Sequence, residues 1–157
     1  MKVSYAITVC DELEEIKRLV DFLICNKHKE DEIVILFDQS KGTQEVITYL
    51  DTIKSEGCLV SNRFEGHFAD WKNLLTSHCT GDFIFQIDAD EHLPEEFIDL
   101  LHQILEANPE VDLYYVPRIN TVSGLTPEHI QKWGWRVQNG RVNWPDYQSR
   151  IYRNNPE

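Results

Sequence analysis

The apolar positions of this chain follow two alternating rhythms. Short runs rich in β-branched residues, Val3 to Val9, Glu32 to Phe37, Cys58 to Val60 and Phe83 to Ile87, read as strands. Between them, apolar residues recur three and four apart, as the buried faces of helices do. Leu13, Ile16, Val20, Leu23 and Ile24 mark a first helix, and Asp11 and Glu12 suit its positive end. Val46, Ile47, Leu50 and Ile53 mark a second, stopped by Gly57, and Phe68, Trp71 and Leu75 a third, closed by Thr80 and Gly81. Pro94 suits the first turn of a fourth, with Phe97, Leu100, Leu101, Ile104 and Leu105 on its inner face and Asn108-Pro109 at its end. The repeated strand-helix order, with largely apolar strands, predicts an α/β fold: a mainly parallel sheet covered by helices on both faces.

After Val116 the helical rhythm stops. Arg118, Trp133, Trp135, Arg136, Arg141, Trp144, Tyr147, Arg150, Tyr152 and Arg153 follow, and short strands and loops are expected, with Gln138 to Arg141 as a turn because Asn-Gly tolerates positive φ. Charge divides at the same place. Residues 1–117 hold 9 basic and 24 acidic groups, whereas residues 118–157 hold 6 and 3. At 157 residues the chain suits one domain, residues 1–157, able to bury about 68 to 70% of its unfolded surface. A formal charge of -12 argues against nonspecific nucleic-acid binding, which depends on neutralising phosphates. Four cysteines, at 10, 25, 58 and 79, form no metal-binding or disulfide spacing and read as buried free thiols. No apolar run approaches the ~20 residues of a transmembrane span, and a cytoplasmic protein is expected.

The chemistry-bearing residues gather where strands are expected to end. Asp11, Asp38, Asp88 and Asp90 each follow a predicted strand, and parallel sheets bind ligands beyond the carboxyl ends of their strands. Asp88, Asp90 and Glu91 lie within four positions, so they repel one another unless exposed to water or held by a divalent cation, which prefers oxygen ligands. Both readings of that cluster stand: a solvated acidic turn, or a metal site. Glu91 could ligate the ion or cap the helix that follows.

Several of these stretches together resemble the family 2 glycosyltransferases, whose GT-A fold is a Rossmann-like nucleotide-sugar-binding α/β domain. Ala6 to Glu12 is similar to the family's opening strand and its Asn-Glu turn, with Asp11 in the Asn position. Glu32 to Ser40 resembles the second strand and its Asp-Asp-Gly-Ser turn, with Phe37 in place of the first Asp and Gln39 in place of the Gly. Trp71-Lys72-Asn73 followed by Gly81-Asp82 resembles the Arg-Asn helix and the Gly-Asp-Tyr entry to the next strand, and Asp88-Ala89-Asp90 matches the D-x-D motif. Val142 to Arg153 resembles the W-P-D-x-Q-x-R segment of one branch, in which a His-Glu pair is expected shortly beyond; the sequence ends at Glu157 before it.

That resemblance implies specific roles. Thr8, Cys10, Asp11, Asp38, Lys72 and Asp88 would bind the nucleotide-sugar, with Asp38 toward the base and Lys72 toward the diphosphate. Asp90, with Asp88, would ligate Mn²⁺ or Mg²⁺. Residues 1–117 would form the nucleotide-sugar-binding half and residues 118–157 a β-rich aromatic and basic acceptor-side segment. The implied activity is metal-dependent, inverting transfer of a sugar from a nucleotide-sugar, with UDP as the expected nucleotide, to an acceptor the sequence does not name. Asp146 is the candidate base, since it is the only carboxylate between Trp133 and Arg153; its alternative is a salt bridge to Arg150. Trp133, Trp135 and Trp144 could form a sugar-stacking wall or pack in a core. Two other functions remain open: a noncatalytic nucleotide-sugar-binding module, and a nucleotidyltransferase. The second usually has a Gly-rich basic loop after the first strand, and Cys10 to Leu13 has none.

Overall fold

A computed structural model describes residues 1–155. The elements in chain order are β1 (Val3–Val9), α1 (Leu13–Asn26), β2 (Glu32–Asp38), α2 (Gln44–Thr52), β3 (Cys58–Asn62), α3 (Phe68–Ser77), β4 (Phe83–Asp88), α4 (Phe97–Ala107), β5 (Leu113–Asn120), α5 (Pro127–Trp133), β6 (Val137–Gln138) and β7 (Arg141–Arg153). One seven-stranded sheet runs β3-β2-β1-β4-β7-β5, with β6 paired to β7. The β3-β2-β1-β4 portion is parallel, while β7 inserts antiparallel between β4 and β5. The chain winds outward from β1 to β3 and then returns to place β4 on the other side of β1. That reversal makes the carboxyl ends of β1 and β4 the switch point of the sheet, where a crevice opens.

Strand alternation divides the core in two. Val3, Tyr5, Ile7 and Val9 of β1, with Ile33, Ile35 and Phe37 of β2 and Phe83, Phe85 and Ile87 of β4, face α1, α2 and α4. Ala6, Val34, Leu36 and Ile84 face Trp71 and Leu75 of α3. Helices therefore cover both faces, three against one, and the α/β expectation holds. Every residue of β2 from Ile33 to Asp38 is buried, which is why this strand reads as a continuous apolar run rather than an alternation.

Several local readings change. The fourth helix begins at Phe97, not at Pro94; the Pro94 carbonyl instead accepts a turn hydrogen bond from Phe97 N–H at 3.0 Å. α5 has no counterpart in the hydrophobic pattern because none of its residues is buried. Its end signals are local: Thr126 and His129 form a reciprocal capping box, Pro127 opens it and Gly134 closes it at φ 63. Of the thiols expected to be buried, only Cys79 is; Cys10 is half-buried, and Cys25 and Cys58 are exposed. The boundary drawn at residue 117 falls inside β5, and β7 belongs to the main sheet, so the aromatic and basic segment is built into the same layer as the parallel strands. Among the described residues, no helix is long and apolar enough to cross a membrane.

Candidate functional site

The switch point gathers side chains from three elements. Thr8 of β1 and Asp88 of β4 stand side by side in the parallel register, both on the α3 face of the sheet. α3 lies over that face and sends Lys72 between them. Its ammonium donates to Asp88 Oδ1 at 2.9 Å and to Thr8 Oγ1 at 3.1 Å, and Thr8 Oγ1 donates to Asp88 Oδ1 at 3.4 Å. Three residues expected at a donor site from separate stretches of sequence thus share one hydrogen-bonded cluster.

Asp88 has a second cation. Arg150, on β7, brings both terminal nitrogens to 3.3 Å from Asp88 Oδ2 and also donates to Glu91 Oε1. The other Glu91 oxygen accepts the Asp88 backbone N–H at 3.0 Å. Burial alone would push the Asp88 carboxyl up, yet Lys72 and Arg150 outweigh it and hold the carboxyl below its usual value. Glu91 goes the other way: burial, with the nearby Asp88 charge adding to it, raises its carboxyl despite Arg150 and Arg118. So Lys72 and Arg150 hold Asp88 and Glu91 together. Glu91 does not cap the helix that follows, whose N-cap is Glu96; it braces the turn after β4.

Asp90 is the exception. It is exposed, and it makes no hydrogen bond or ion pair with any described residue. A free carboxylate in a turn beyond the strand end suits a hard cation. Among the described residues, no group of three His, Cys, Asp or Glu side chains could hold a metal by itself. Mg²⁺ is commonly bound by one or two carboxylates plus substrate phosphates rather than by a protein cage, and a single open carboxylate fits that pattern. Asp88 fits it less well, because both of its oxygens are already engaged.

Beyond β1 and β2 lies a second pocket of polar groups. Asp38 Oδ1 accepts from Ser40 N–H at 2.8 Å, Ser40 Oγ at 2.6 Å and Phe64 N–H at 3.1 Å, tying the loop after β2 to the loop after β3. Burial opposes ionisation of Asp38, but these donors win and lower its carboxyl. Its other oxygen has only the Cys10 thiol, at 3.9 Å, so it remains open to a ligand. Burial and the neighbouring Asp38, Asp11 and Glu12 raise the Cys10 thiol, which disfavours the nucleophilic thiolate. Asp11 is exposed at the same turn. Glu12 instead shapes this turn, accepting from Cys10 N–H at 2.8 Å.

Asp146 lies on β7, opposite Arg118 of β5. Arg118 donates to its Oδ2 at 3.0 and 2.8 Å, Asn120 at 2.9 Å, and Gln148 to Oδ1 at 2.7 Å. Hydrogen bonds from Asn120, Arg118 and Gln148 lower its carboxyl, the reverse of what a proton acceptor at neutral pH needs. The alternative salt bridge to Arg150 is also absent: on a strand, residues four apart lie about 13 Å apart, and Arg150 pairs with Asp88 and Glu91 instead. Arg118 links the two clusters, since its guanidinium reaches within 4.0 Å of Glu91.

A cleft of about 1330 Å³ runs from Asp90 between α4 and the β5–β7 face, with Leu100, Ile104, Ile119, Trp135 and Trp144 along it. None of the three C-terminal tryptophans enters the buried core. Trp133 is half-exposed with its ring 4.8 Å from that of Trp135, and Trp144 lies under the Arg141 guanidinium at 4.8 Å. The core alternative for them is therefore excluded.

Sequence reasoning missed the positions of Arg150 and Arg118 in this site. The signal lay in the period-two spacing of Asp146, Gln148 and Arg150, which puts three polar groups on one side of a strand.

Comparison with known proteins agrees with this architecture. The model of the family described as glycosyl transferase family 2 matches residues 4–156. The crystal structure of S. aureus TarS 1-349 superposes with a TM-score of 0.65 at 16% identity, covering 98% of this chain and 47% of TarS. The same protein in complex with UDP gives 0.65 at 17% identity over 98% and 47%. Its complex with UDP-GlcNAc gives 0.62 at 17% identity over 80% and 36%. The chain thus spans about half the length, or less, of these solved structures. No curated protein matches it.

Proposed function

The chain belongs to glycosyl transferase family 2, and from that premise we propose that it moves a sugar from a nucleotide-sugar, with UDP as the nucleotide, to a hydroxyl acceptor with inversion at the transferred carbon. The observation that carries this reading is the convergence of Thr8, Lys72 and Asp88, beside the open carboxylate of Asp90, at the switch point of the sheet. The complexes of TarS with UDP and with UDP-GlcNAc support the choice of nucleotide.

Each residue then has a task. The open Asp38 oxygen receives a donor from the base, with Cys10 and Thr8 lining the nucleoside side and Asp11 at the rim. Lys72 supplies positive charge toward the diphosphate, as a point charge rather than a two-pronged guanidinium. Asp90 would hold Mn²⁺ or Mg²⁺, with Asp88 as a second ligand only if it releases Lys72 or Arg150. When bound, the ion would supply neutralisation of the departing diphosphate. Residues 118–157 form the acceptor side, where Trp135 and Trp144 offer stacking surfaces to a sugar. For Asp146 to serve as base, Arg118, Asn120 and Gln148 must yield to the acceptor. Because Asp88, Glu91 and Asp146 are already bonded, a noncatalytic nucleotide-sugar-binding module is the second reading.

Thermal unfolding with UDP, GDP, CDP and their sugars, in Mn²⁺ or in chelator, tests the reading. A ligand at a hundredfold excess over Kd stabilises by about 2.7 kcal/mol. The expected result is a shift with UDP or a UDP-sugar that chelator removes. No metal-dependent shift with any nucleotide would sink the proposal. If binding occurs, donor hydrolysis separates the enzyme from the module, and equal rates for wild type and Asp146→Asn would remove Asp146 from the base role.

A further inference from the structure

The register of β5 on β7 shifts twice, once between Arg118 and Asn120 and once at Arg150. Tyr114 pairs with Ile151 and Tyr115 with Ser149, so Arg150 has no residue opposite it on β5. Two residues against one is a β-bulge, which bends its strand and re-aims a side chain, and bulges are common beside active sites. Here the re-aimed side chain is a guanidinium that is only 13% exposed. A cation so withdrawn from water is costly unless it is paired. Its partners are Asp88 and Glu91, the residues that flank the Ala89-Asp90 turn.

These contacts close a loop. Arg150 binds both carboxylates, and Glu91 returns a bond to the Asp88 backbone N–H. The loop fixes both ends of the turn that carries Asp90. It also occupies the two neighbouring carboxylates that would otherwise compete with Asp90 for a cation or repel an anionic donor. We propose that Arg150 is a positioning residue of the donor site: from its bulge it clamps Asp88 and Glu91, so that Asp90 alone is presented to the cation and the diphosphate meets a turn already neutralised. The identity of that donor rests on the function proposed above; the clamp itself does not.

The clamp predicts effects of opposite sign. In Arg150→Gln, Asp88 Oδ2 and Glu91 Oε1 lose their closest cation beside Asp90, while Lys72 stays on Asp88 Oδ1, so Mn²⁺ alone should bind about tenfold more tightly while UDP with Mn²⁺ binds about tenfold more weakly. Uridine, which lacks the diphosphate, should bind as in wild type. Arg150→Lys keeps the charge but cannot bridge two carboxylates, so it should move both affinities in the same directions by less. Adding Glu91→Gln to Arg150→Gln should return Mn²⁺ affinity toward the wild-type value. Isothermal titration with Mn²⁺, UDP and uridine reads all of these. Unchanged Mn²⁺ affinity in both Arg150 variants overturns the proposal, as does equal weakening of UDP and uridine in Arg150→Lys, which is what a packing role alone would give. If wild type binds no nucleotide, the donor reading fails, while the Mn²⁺ titrations still decide whether Arg150 governs Asp90.

Discussion

The two ends of the parallel strands both bury carboxylates, and they use them in opposite ways. At the amino ends, Asp31 has no exposed side-chain surface. It accepts from Val3 N–H at 2.9 Å, His28 N–H at 3.2 Å, His102 Nε2 at 2.8 Å and Tyr5 Oη at 3.4 Å, and the His28 ring stacks on His102 at 3.7 Å. Beside it, Glu32 is bonded by Lys2, Ser4 and Thr80. Gly81 packs so closely there that a Cβ would stand 2.7 Å from Ser4 Oγ. At the carboxyl ends, Asp88 and Glu91 are similarly bonded, but the cluster stops one group short and leaves Asp90 open. A carboxylate with all its partners inside the protein contributes stability, and one without them is available to a ligand.

Removing the closed cluster should have the largest effect. Asp31→Ala strands two backbone N–H groups, a buried imidazole and a phenol, and should destabilise by about 3 to 5 kcal/mol. For a domain of this size that lowers Tm by roughly 10 °C. A Tm within 2 °C of wild type, by calorimetry or circular dichroism, would show that the amino-end cluster is not the structural one, with about 1 kcal/mol as the limit of its contribution.

Acid should separate the ends next. Burial would raise Glu32, yet bonds from Lys2, Ser4 and Thr80 pull its carboxyl from 4.5 down to about 2. A group that binds its proton less readily when folded stabilises the fold above its unfolded pKa. That contribution is lost as pH falls from about 4.5 through about 2, and it amounts to about 3 kcal/mol. Glu32→Gln should lose this stability at pH 7 and flatten the acid limb of denaturant-measured stability between those pH values. Nucleotide binding at pH 7 should persist, since Glu32 lies at the far end of β2. An unchanged acid limb would mean that other carboxylates govern it.

The comparison also explains what the sequence could disclose. β1 to β4 and α1 to α4 were legible because their apolar residues repeat with a period of two or between three and four, and each element is long enough to show it. Asp38, Asp88 and Asp90 were legible because strand ends were. α5 was not, having no buried face, though Thr126-Pro127 announced its start. The insertion of β7 between β4 and β5 depends on pairing between residues about 65 to 70 positions apart, such as Phe85 with Ile151, which no local pattern carries. With β7 unplaced, Arg150 could not be matched to Asp88, and Asp146 and Arg150 looked like partners only by helical spacing. The amino-end cluster escaped for the same reason: Asp31 falls between the helical and strand patterns, and His102 lies 71 residues away on α4.

The smallest expected change in stability is the sharpest test of the difference between the ends. Asp90→Asn removes a charge that no described residue contacts, so the fold loses no hydrogen bond and no ion pair. Surface substitutions of this kind stay within about 0.5 kcal/mol, and relief of repulsion from Asp88 and Glu91 acts in the stabilising direction. The same substitution removes the open carboxylate of the turn after β4. The metal-dependent part of the thermal shift with UDP should therefore disappear while the Tm of the free protein stays in place. A loss of more than about 1 kcal/mol in the free protein would place Asp90 among the structural carboxylates and erase the distinction between the ends. Retention of the metal-dependent shift would instead move the cation to Asp88, with Lys72 or Arg150 displaced from it.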